Sequence, residues 1–148
     1  MPHLVILYTP NLDKPASEGG ADMGALCREL CDAMLAVRDE AGKQVFPTGG
    51  TRVLAYPAAH SALPVGGAAG IAAGLGGDYA FVYMNLRMAT GRSAATHQRV
   101  GEALQAVVKA HFAVQLATRA IGITMQVDEG HEVFDAKTSS LHPLFNRS

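Results

Sequence analysis

The order β-strand, amphipathic helix, β-strand occurs twice along this sequence, and this repeat limits the possible folds more than any other feature. In the first half, residues 3–8 are rich in Val, Ile and Leu and predict a strand. Apolar residues then recur at steps of three and four between Ala21 and Arg38, which predicts a helix with one apolar face. Pro and Gly interrupt the chain at residues 47–50, and residues 51–56 predict the second strand.

The second half of the chain follows the same order. The alternating residues 79–84 predict a strand that runs to Met88. Ser93 suits the N-cap of the next helix, because its hydroxyl oxygen can accept a hydrogen bond from a free backbone N–H. The apolar positions of that helix continue to Val114, and residues 118–123 predict the start of the last strand.

A duplicated βαβ unit is the simplest explanation of this order, and it places Thr51-Arg52 and Thr118-Arg119 at equivalent positions. Each crossover implies that the two strands it joins are parallel. Two such units side by side predict an α/β (α+β) fold with a four-stranded sheet and two helices on one face. The other face also carries apolar residues, because residues 4–7 show no polar alternation. We therefore expect that face to need a partner, and the chain to form oligomers.

The length of 148 residues suits a single domain made of two βαβ halves, at about residues 1–56 and 78–127. Between them, residues 57–77 are nearly all Ala, Gly, Pro and Ser and carry no charged side chain, which indicates a linker or a long hairpin. Its glycines permit close backbone approach, but they do not form the pattern of a nucleotide-binding loop.

Composition excludes several classes of function. A net charge of -1 gives no basic surface for nucleic acid, and no apolar run approaches the roughly 20 residues that span a bilayer. We expect a cytoplasmic protein, since no secretion leader is visible. We expect Cys27 and Cys31 to be core residues that form no disulfide. We expect His111 to be a core histidine. The histidine and cysteine spacings match no metal site, so we expect neither metal nor cofactor.

Pro2 is the candidate catalytic residue. Removal of the initiator methionine would turn Pro2 into a free secondary amine, and an α-amino group has a reference pKa of about 8. An apolar setting or a nearby cation lowers that pKa further, which would make the amine a general base at neutral pH. Met-Pro is also a common start of a chain, so the dipeptide alone does not establish this role.

Several stretches in the same order resemble the 5-carboxymethyl-2-hydroxymuconate isomerase family, which belongs to the tautomerase superfamily. The resemblance covers nearly the whole chain apart from the linker. Its motifs are Pro2-His3, Phe46-Pro47, Gly50-Thr51-Arg52, Asp78-Tyr79-Ala80-Phe81-Val82-Tyr83-Met84, Gly91-Arg92-Ser93, Lys109-Ala110-His111-Phe112-Ala113 and Leu141-His142-Pro143-Leu144-Phe145.

The resemblance implies a homotrimer with a tautomerase-like fold, whose active sites lie around the terminal proline near a subunit boundary. It implies that the Pro2 amine moves a proton along a conjugated dienol, and that Arg52 and Arg92 bind substrate carboxylates. Guanidinium groups suit this role because they bind carboxylates through two parallel hydrogen bonds and stay charged. Arg119 has no proline amine in its half, so we expect a structural or interface role for it.

The chain departs from the family pattern at two positions. Leu54 stands where the family has a second arginine, and Tyr56 stands where it has a histidine. Fewer cations imply fewer substrate carboxylates, or carboxylates that are placed differently.

The leading hypothesis is therefore a cofactor-independent isomerase of a small unsaturated 2-hydroxy (di)carboxylate. One alternative is a hydratase or decarboxylase that uses the same proline. Another is a trimeric binding protein without catalytic activity.

Overall fold

A single four-stranded sheet joins the two halves of the chain. The computed structural model describes residues 2–63 and 68–145, apart from the side chain of His142. The strands, in sheet order β2-β1-β3-β4, are β1 (His3–Tyr8), β2 (Arg52–Pro57), β3 (Ala80–Ala89) and β4 (Ile121–Gly130).

Strand directions follow the predicted duplication. β1 is parallel to β2, and β3 is parallel to β4, while the two central strands β1 and β3 are antiparallel. The first residues of β1 and β2 therefore lie at the same end of the sheet as the last residues of β3 and β4. We call this end of the sheet the Pro2 end, because Pro2 directly precedes β1. The predicted fold class is confirmed.

Besides three short 3-10 helices, the described residues form five α-helices: α1 (Met23–Ala36), α2 (Ala68–Ala72), α3 (Ala94–His111), α4 (Ala113–Thr118) and α5 (His142–Phe145). The two long ones, α1 and α3, pack against each other on one face of the sheet. Asp22 caps α1 by accepting a hydrogen bond of 2.8 Å from the N–H of Ala25. Ser93 caps α3 in the same way, accepting from the N–H of Thr96 at 3.0 Å, as the sequence predicts.

The two faces of the sheet differ because side chains alternate along each strand. Even-numbered residues of β1, such as Leu4 and Ile6, are fully buried against the helices. The opposite face is open and divides into two regions. Its apolar region lies away from the Pro2 end and includes Leu7, which is 47% exposed. At the Pro2 end this open face carries polar and charged residues instead.

The proposed equivalence of the two Thr-Arg pairs is wrong by two residues. In the parallel registers, His3 pairs with Arg52 whereas Ala80 pairs with Ile121, so Arg119 precedes the strand position that corresponds to Arg52. The last strand starts late because α4 extends to Thr118 and the N–H of Arg119 caps it. A separate short helix forms after α3, since Phe112 leaves helical geometry between the two.

Part of the predicted linker 57–77 is folded. It contains helix α2, and a Cβ on Gly70 would lie only 2.3 Å from the carbonyl oxygen of Gly76, so the chain packs closely there. Residues 64–67 of this linker lie outside the described residues.

Cys27 and Cys31 are half-buried and free of disulfides. The side chain of His111 is only 9% exposed, and its Nδ1 lies 3.0 Å from Oε2 of Glu29 on α1. In the part of the chain that the structure describes, no helix is long and apolar enough to cross a membrane. Across residues 2–63 and 68–145, no cluster of three His, Cys, Asp or Glu side chains is placed to hold a metal ion.

Candidate active site

Pro2 is buried and directly precedes the central strand β1. The next residue, His3, pairs with Arg52 on one side and with Arg87 on the other, so Pro2 lies between two neighbouring strands rather than at an edge strand. A proline fits directly before the first strand residue, because it has no backbone N–H that would need a partner in the ladder. Burial favours the neutral form of an amine, and Arg52 lies opposite the residue that follows Pro2.

Arg52 begins β2, and a tight turn holds it in place. The hydroxyl of Thr51 donates a hydrogen bond of 2.9 Å to the carbonyl of Pro47, which fixes the residues before the strand. Arg52 itself donates through Nη1 to the carbonyls of Gly49 at 3.1 Å and Thr51 at 3.0 Å. The guanidinium is therefore oriented by backbone groups and half-buried at the Pro2 end.

The pKa of His3 shows the electrostatic character of this edge. Partial burial is the main cause that lowers the pKa of its imidazole, and the positive charge of Arg52 lowers it further. A positive charge on the His3 imidazole is therefore disfavoured.

Arg92 lies in the loop between β3 and α3, where Gly91 adopts a positive φ of 92°. Its Nη1 donates to the carbonyl of Ala89 at 3.1 Å, and its Nη2 donates to the carbonyl of Val45 at 3.0 Å. The guanidinium carbon lies 5.9 Å from the centre of the Phe46 ring. Arg92 thus joins two loops, and its position depends on both of them.

The structure brings all three predicted site residues to one end of the sheet. Pro2 precedes β1, Arg52 begins β2, and Arg92 follows β3 by three residues. Arg92 lines a cavity that the other two residues do not reach. A cavity of about 380 Å³ opens beside Arg92, and the described residues that line it do not include Pro2 or Arg52.

Arg87 is a further cation at the Pro2 end that sequence analysis missed. It lies opposite His3 in the antiparallel register and on the same open face. A Cβ on Gly130 would lie 2.1 Å from Arg87 Nε, so the guanidinium lies directly over that glycine. Arg52, His3 and Arg87 therefore form a row across three adjacent strands. Only the strand register reveals this row, although Arg87 does interrupt an otherwise uncharged strand in the sequence.

The two departures from the family pattern lie on the open face beside this row. Leu54 is 44% exposed and Tyr56 is 49% exposed, and both share the face of Arg52 on edge strand β2. The surface that follows Arg52 is thus apolar and carries no charge along this strand.

The C-terminal helix α5 packs beside the turn that precedes Arg52. The ring of Phe145 lies so close to Gly49 that a Cβ there would be 2.9 Å from Phe145 Cδ2. This contact places the end of the described chain next to the Pro2 end.

Arg119 lies just before β4, at the end of the sheet opposite to the Pro2 end, and is 7% exposed. Its Nη1 donates to the carbonyl of Gly19 at 2.7 Å, and its Nη2 donates to the backbone carbonyl and the carboxylate of Asp78 at 3.0 and 3.2 Å. These contacts join the loop before α1 to the start of β3, which agrees with the expected structural role.

Comparisons with known proteins identify close relatives. The family model for 5-carboxymethyl-2-hydroxymuconate isomerase matches residues 2–145. A crystal structure of a 5-carboxymethyl-2-hydroxymuconate delta-isomerase is 56% identical, with a TM-score of 0.91 over 100% of this chain and 95% of that chain. A 5-carboxymethyl-2-hydroxymuconate isomerase from Deinococcus radiodurans R1 is 29% identical, with a TM-score of 0.75 over 99% of this chain and 95% of that one.

Two further relatives are a curated protein that matches over part of its length and a structure of low sequence identity. The 5-carboxymethyl-2-hydroxymuconate Delta-isomerase of Escherichia coli is 35% identical over 68 residues, which are 46% of this chain and 54% of that protein. The matched part thus spans about half the length of that relative. A fused 4-OT asymmetric trimer is 15% identical, with a TM-score of 0.50 over 96% of this chain and 98% of that chain, and it shows the likeness of fold alone.

Proposed function

Because the chain belongs to the 5-carboxymethyl-2-hydroxymuconate isomerase family, we propose that it is a cofactor-independent isomerase of the tautomerase superfamily. Its substrate is a small unsaturated 2-hydroxy carboxylate or dicarboxylate. The observation that carries this proposal is the position of Pro2, Arg52 and Arg92 at the same end of the sheet. A base and two anion-binding groups at one edge are what such a reaction needs.

Pro2 is the general base of the proposed reaction. Once Met1 is removed, the ring nitrogen becomes an amine with a lone pair. This amine takes the proton of the substrate hydroxyl, the electron pair of that O–H bond forms the carbonyl, and the conjugated double bonds shift along the chain. The amine then returns the proton to a carbon further along. The buried position of Pro2 supports this role, since burial favours the neutral amine.

Arg52 and Arg92 hold the substrate carboxylates and the oxygen on which charge develops. Among the described residues, the hydrogen bonds of Arg52 are made through Nη1, which leaves the Nη2 and Nε side of its guanidinium free for a carboxylate. Such charge-assisted contacts with two parallel N–H groups give both affinity and orientation. A cation beside the amine also keeps Pro2 neutral.

The proposed assembly is a homotrimer with each active site at a subunit boundary. Two observations support it. The apolar part of the open sheet face leaves large side chains such as Leu7 and Phe81 exposed, which favours a covering subunit. The cavity beside Arg92 does not extend to Pro2 within one subunit, so a neighbouring chain would complete the site.

The decisive experiment measures ketonisation of 2-hydroxymuconate by protein whose intact mass is known. We expect turnover by protein that lacks Met1. We expect a loss of about 100-fold or more when Met1 is retained, because general acid–base catalysis contributes about 10² to 10⁴ in rate. Equal turnover by both forms would exclude Pro2 as the base. No turnover by the processed form on 2-hydroxymuconate or phenylenolpyruvate would overturn the proposed activity.

A further inference from the structure

The carboxylate of Glu40 connects a turn of the first half to the start of α3 in the second half. Its Oε1 accepts a hydrogen bond from the hydroxyl of Ser93, and its Oε2 accepts one of 2.6 Å from the hydroxyl of Thr96. These partners are 53 and 56 residues away along the chain. Such a contact between distant segments restricts how the two can move relative to each other.

Glu40 is held by a compact turn, residues 37–45. Asp39 Oδ1 accepts hydrogen bonds of 2.9 Å from the N–H groups of Ala41 and Lys43, and the N–H of Val45 donates to the carbonyl of Val37 at 3.1 Å. These hydrogen bonds connect Glu40, near the tip of the turn, with Val45 at its end.

Arg92 contacts the same turn from the opposite direction. Its Nη2 donates to the carbonyl of Val45, while the adjacent residue Ser93 donates to Glu40. The turn and the loop of residues 90–93 are therefore joined at two points, and both contacts line the cavity of about 380 Å³. Loss of the Glu40 contact would leave the hydrogen bond between Arg92 and Val45 to hold the turn against this loop.

The Glu40 contact with two hydroxyl donors suits a carboxylate better than an amide, which offers one acceptor oxygen and would need one hydroxyl to accept instead of donate. An ionised carboxylate only accepts hydrogen bonds, so it can take one from each of two hydroxyls. The Ser93 oxygen then keeps a lone pair for the N–H of Thr96, which completes the N-cap of α3. These hydrogen bonds, from Ser93 first and then Thr96, lower the pKa of the Glu40 carboxyl to about 2. Glu40 is therefore ionised at every pH at which such an enzyme works.

We propose that Glu40 is a positioning residue for Arg92, which it acts on through Ser93, Thr96 and the 37–45 turn. Glu40 touches no substrate. It fixes the direction of the Arg92 guanidinium, and so the affinity for the substrate carboxylate that Arg92 binds. This inference rests on the proposed function, because it assumes that Arg92 binds substrate.

Glu40→Gln is the direct test, because an amide keeps the size of the side chain and loses one acceptor and the charge. We expect the KM for 2-hydroxymuconate, a dicarboxylate, to rise about fivefold with kcat changed less than about twofold. The KM for the monocarboxylate phenylenolpyruvate should rise less. Glu102→Gln is the matched control, since Glu102 is an exposed residue of α3 that pairs with Gln98 within the helix.

A double-mutant cycle separates positioning from a merely structural role. Glu40→Gln should have little further effect in the Arg92→Ala background, because its target is gone. Equal losses in both backgrounds, or equal losses on both substrates, would overturn the inference. An Arg92→Ala variant with full activity would instead contradict the proposed role of Arg92.

Hydrogen exchange tests the physical link without relying on activity. In Glu40→Ala, which removes both acceptor oxygens, the amide of Thr96 should exchange faster, because its Ser93 acceptor is no longer fixed, while amides in the middle of α1 should be unchanged. An unchanged Thr96 amide would show that Glu40 does not hold this loop, whatever the kinetics.

Discussion

His3, the residue that follows Pro2, lies directly opposite Arg52 in the parallel register of β1 and β2. This pairing fixes an arginine one residue away from the proposed base. Burial is the main cause that lowers the pKa of His3, followed by the positive amino terminus and then by Arg52, which this pairing places beside it. The first prediction follows from this neighbourhood.

Pro2→Ala should keep the fold and part of the activity. The processed variant still carries an amine, although a primary one, at the same position. We expect kcat/KM to fall less than in protein that retains Met1, for which the loss is about 10² to 10⁴. Kinetics on samples of known intact mass measure both effects. A variant as inactive as the unprocessed protein would mean that the proline ring itself is required.

Arg52→Ala and Arg92→Ala should discriminate between substrates. Each removes a charge-assisted contact to a carboxylate, which is worth about 1.5 to 3 kcal/mol, or roughly 10- to 100-fold in kcat/KM. The loss on 2-hydroxymuconate should exceed the loss on phenylenolpyruvate. Arg119→Ala is the control with a different expectation: it should lower the melting temperature, since its contacts with Gly19 and Asp78 are structural. Equal losses on both substrates would assign Arg52 and Arg92 to folding or to the amine.

Tyr8 should titrate at unusually high pH. Burial is the first cause that raises the pKa of its phenol to about 12, and the hydrogen bond it donates to Asp13 is the second. The folded state keeps this phenol protonated to a higher pH than the unfolded chain does. Its stabilising contribution is therefore complete below the ordinary value of 10.0 and is lost as the pH rises through about 12.

The measurement for Tyr8 is the ultraviolet absorbance of tyrosinate as a function of pH. We expect a late phase in the wild type that is missing in Tyr8→Phe. A difference spectrum with its midpoint near 10 would contradict the prediction.

Two glycine substitutions should have opposite effects on stability. A Cβ on Gly20 would lie 1.6 Å from the backbone carbonyl oxygen of Lys14, so Gly20→Ala forces the backbone apart and should cost about 2 kcal/mol or more. Gly101 lies inside α3, and no atom of another described segment lies within 4 Å of the added Cβ. Gly101→Ala should therefore stabilise the fold by about 0.5 to 1 kcal/mol. Urea unfolding of both variants checks the pair, and a stable Gly20→Ala would refute the predicted close approach.

Most elements of the fold could be predicted from local sequence patterns. The strand at residues 3–8, the helix around Leu26 and Leu30 and the N-cap at Ser93 were all predictable, because each depends on neighbours within a few residues. The start of the last strand was not. Helix α4 continues to Thr118, since Gln115 is buried and its Nε2 donates a hydrogen bond of 2.8 Å to the distant carbonyl of Gly20. No local pattern contains that contact.

The sequence by itself determined the duplicated βαβ order and made Pro2 a candidate base, and its resemblance to a known family pointed to Arg52 and Arg92. Only the tertiary structure decided that Arg87 joins His3 and Arg52 in one row, and that Glu40 is connected to the loop of Arg92. The physical reason is the range of the interactions. Periodicity and capping act over one or two turns of chain, whereas strand register and side-chain bridges join residues far apart in sequence, and these become visible only once the sheet has formed.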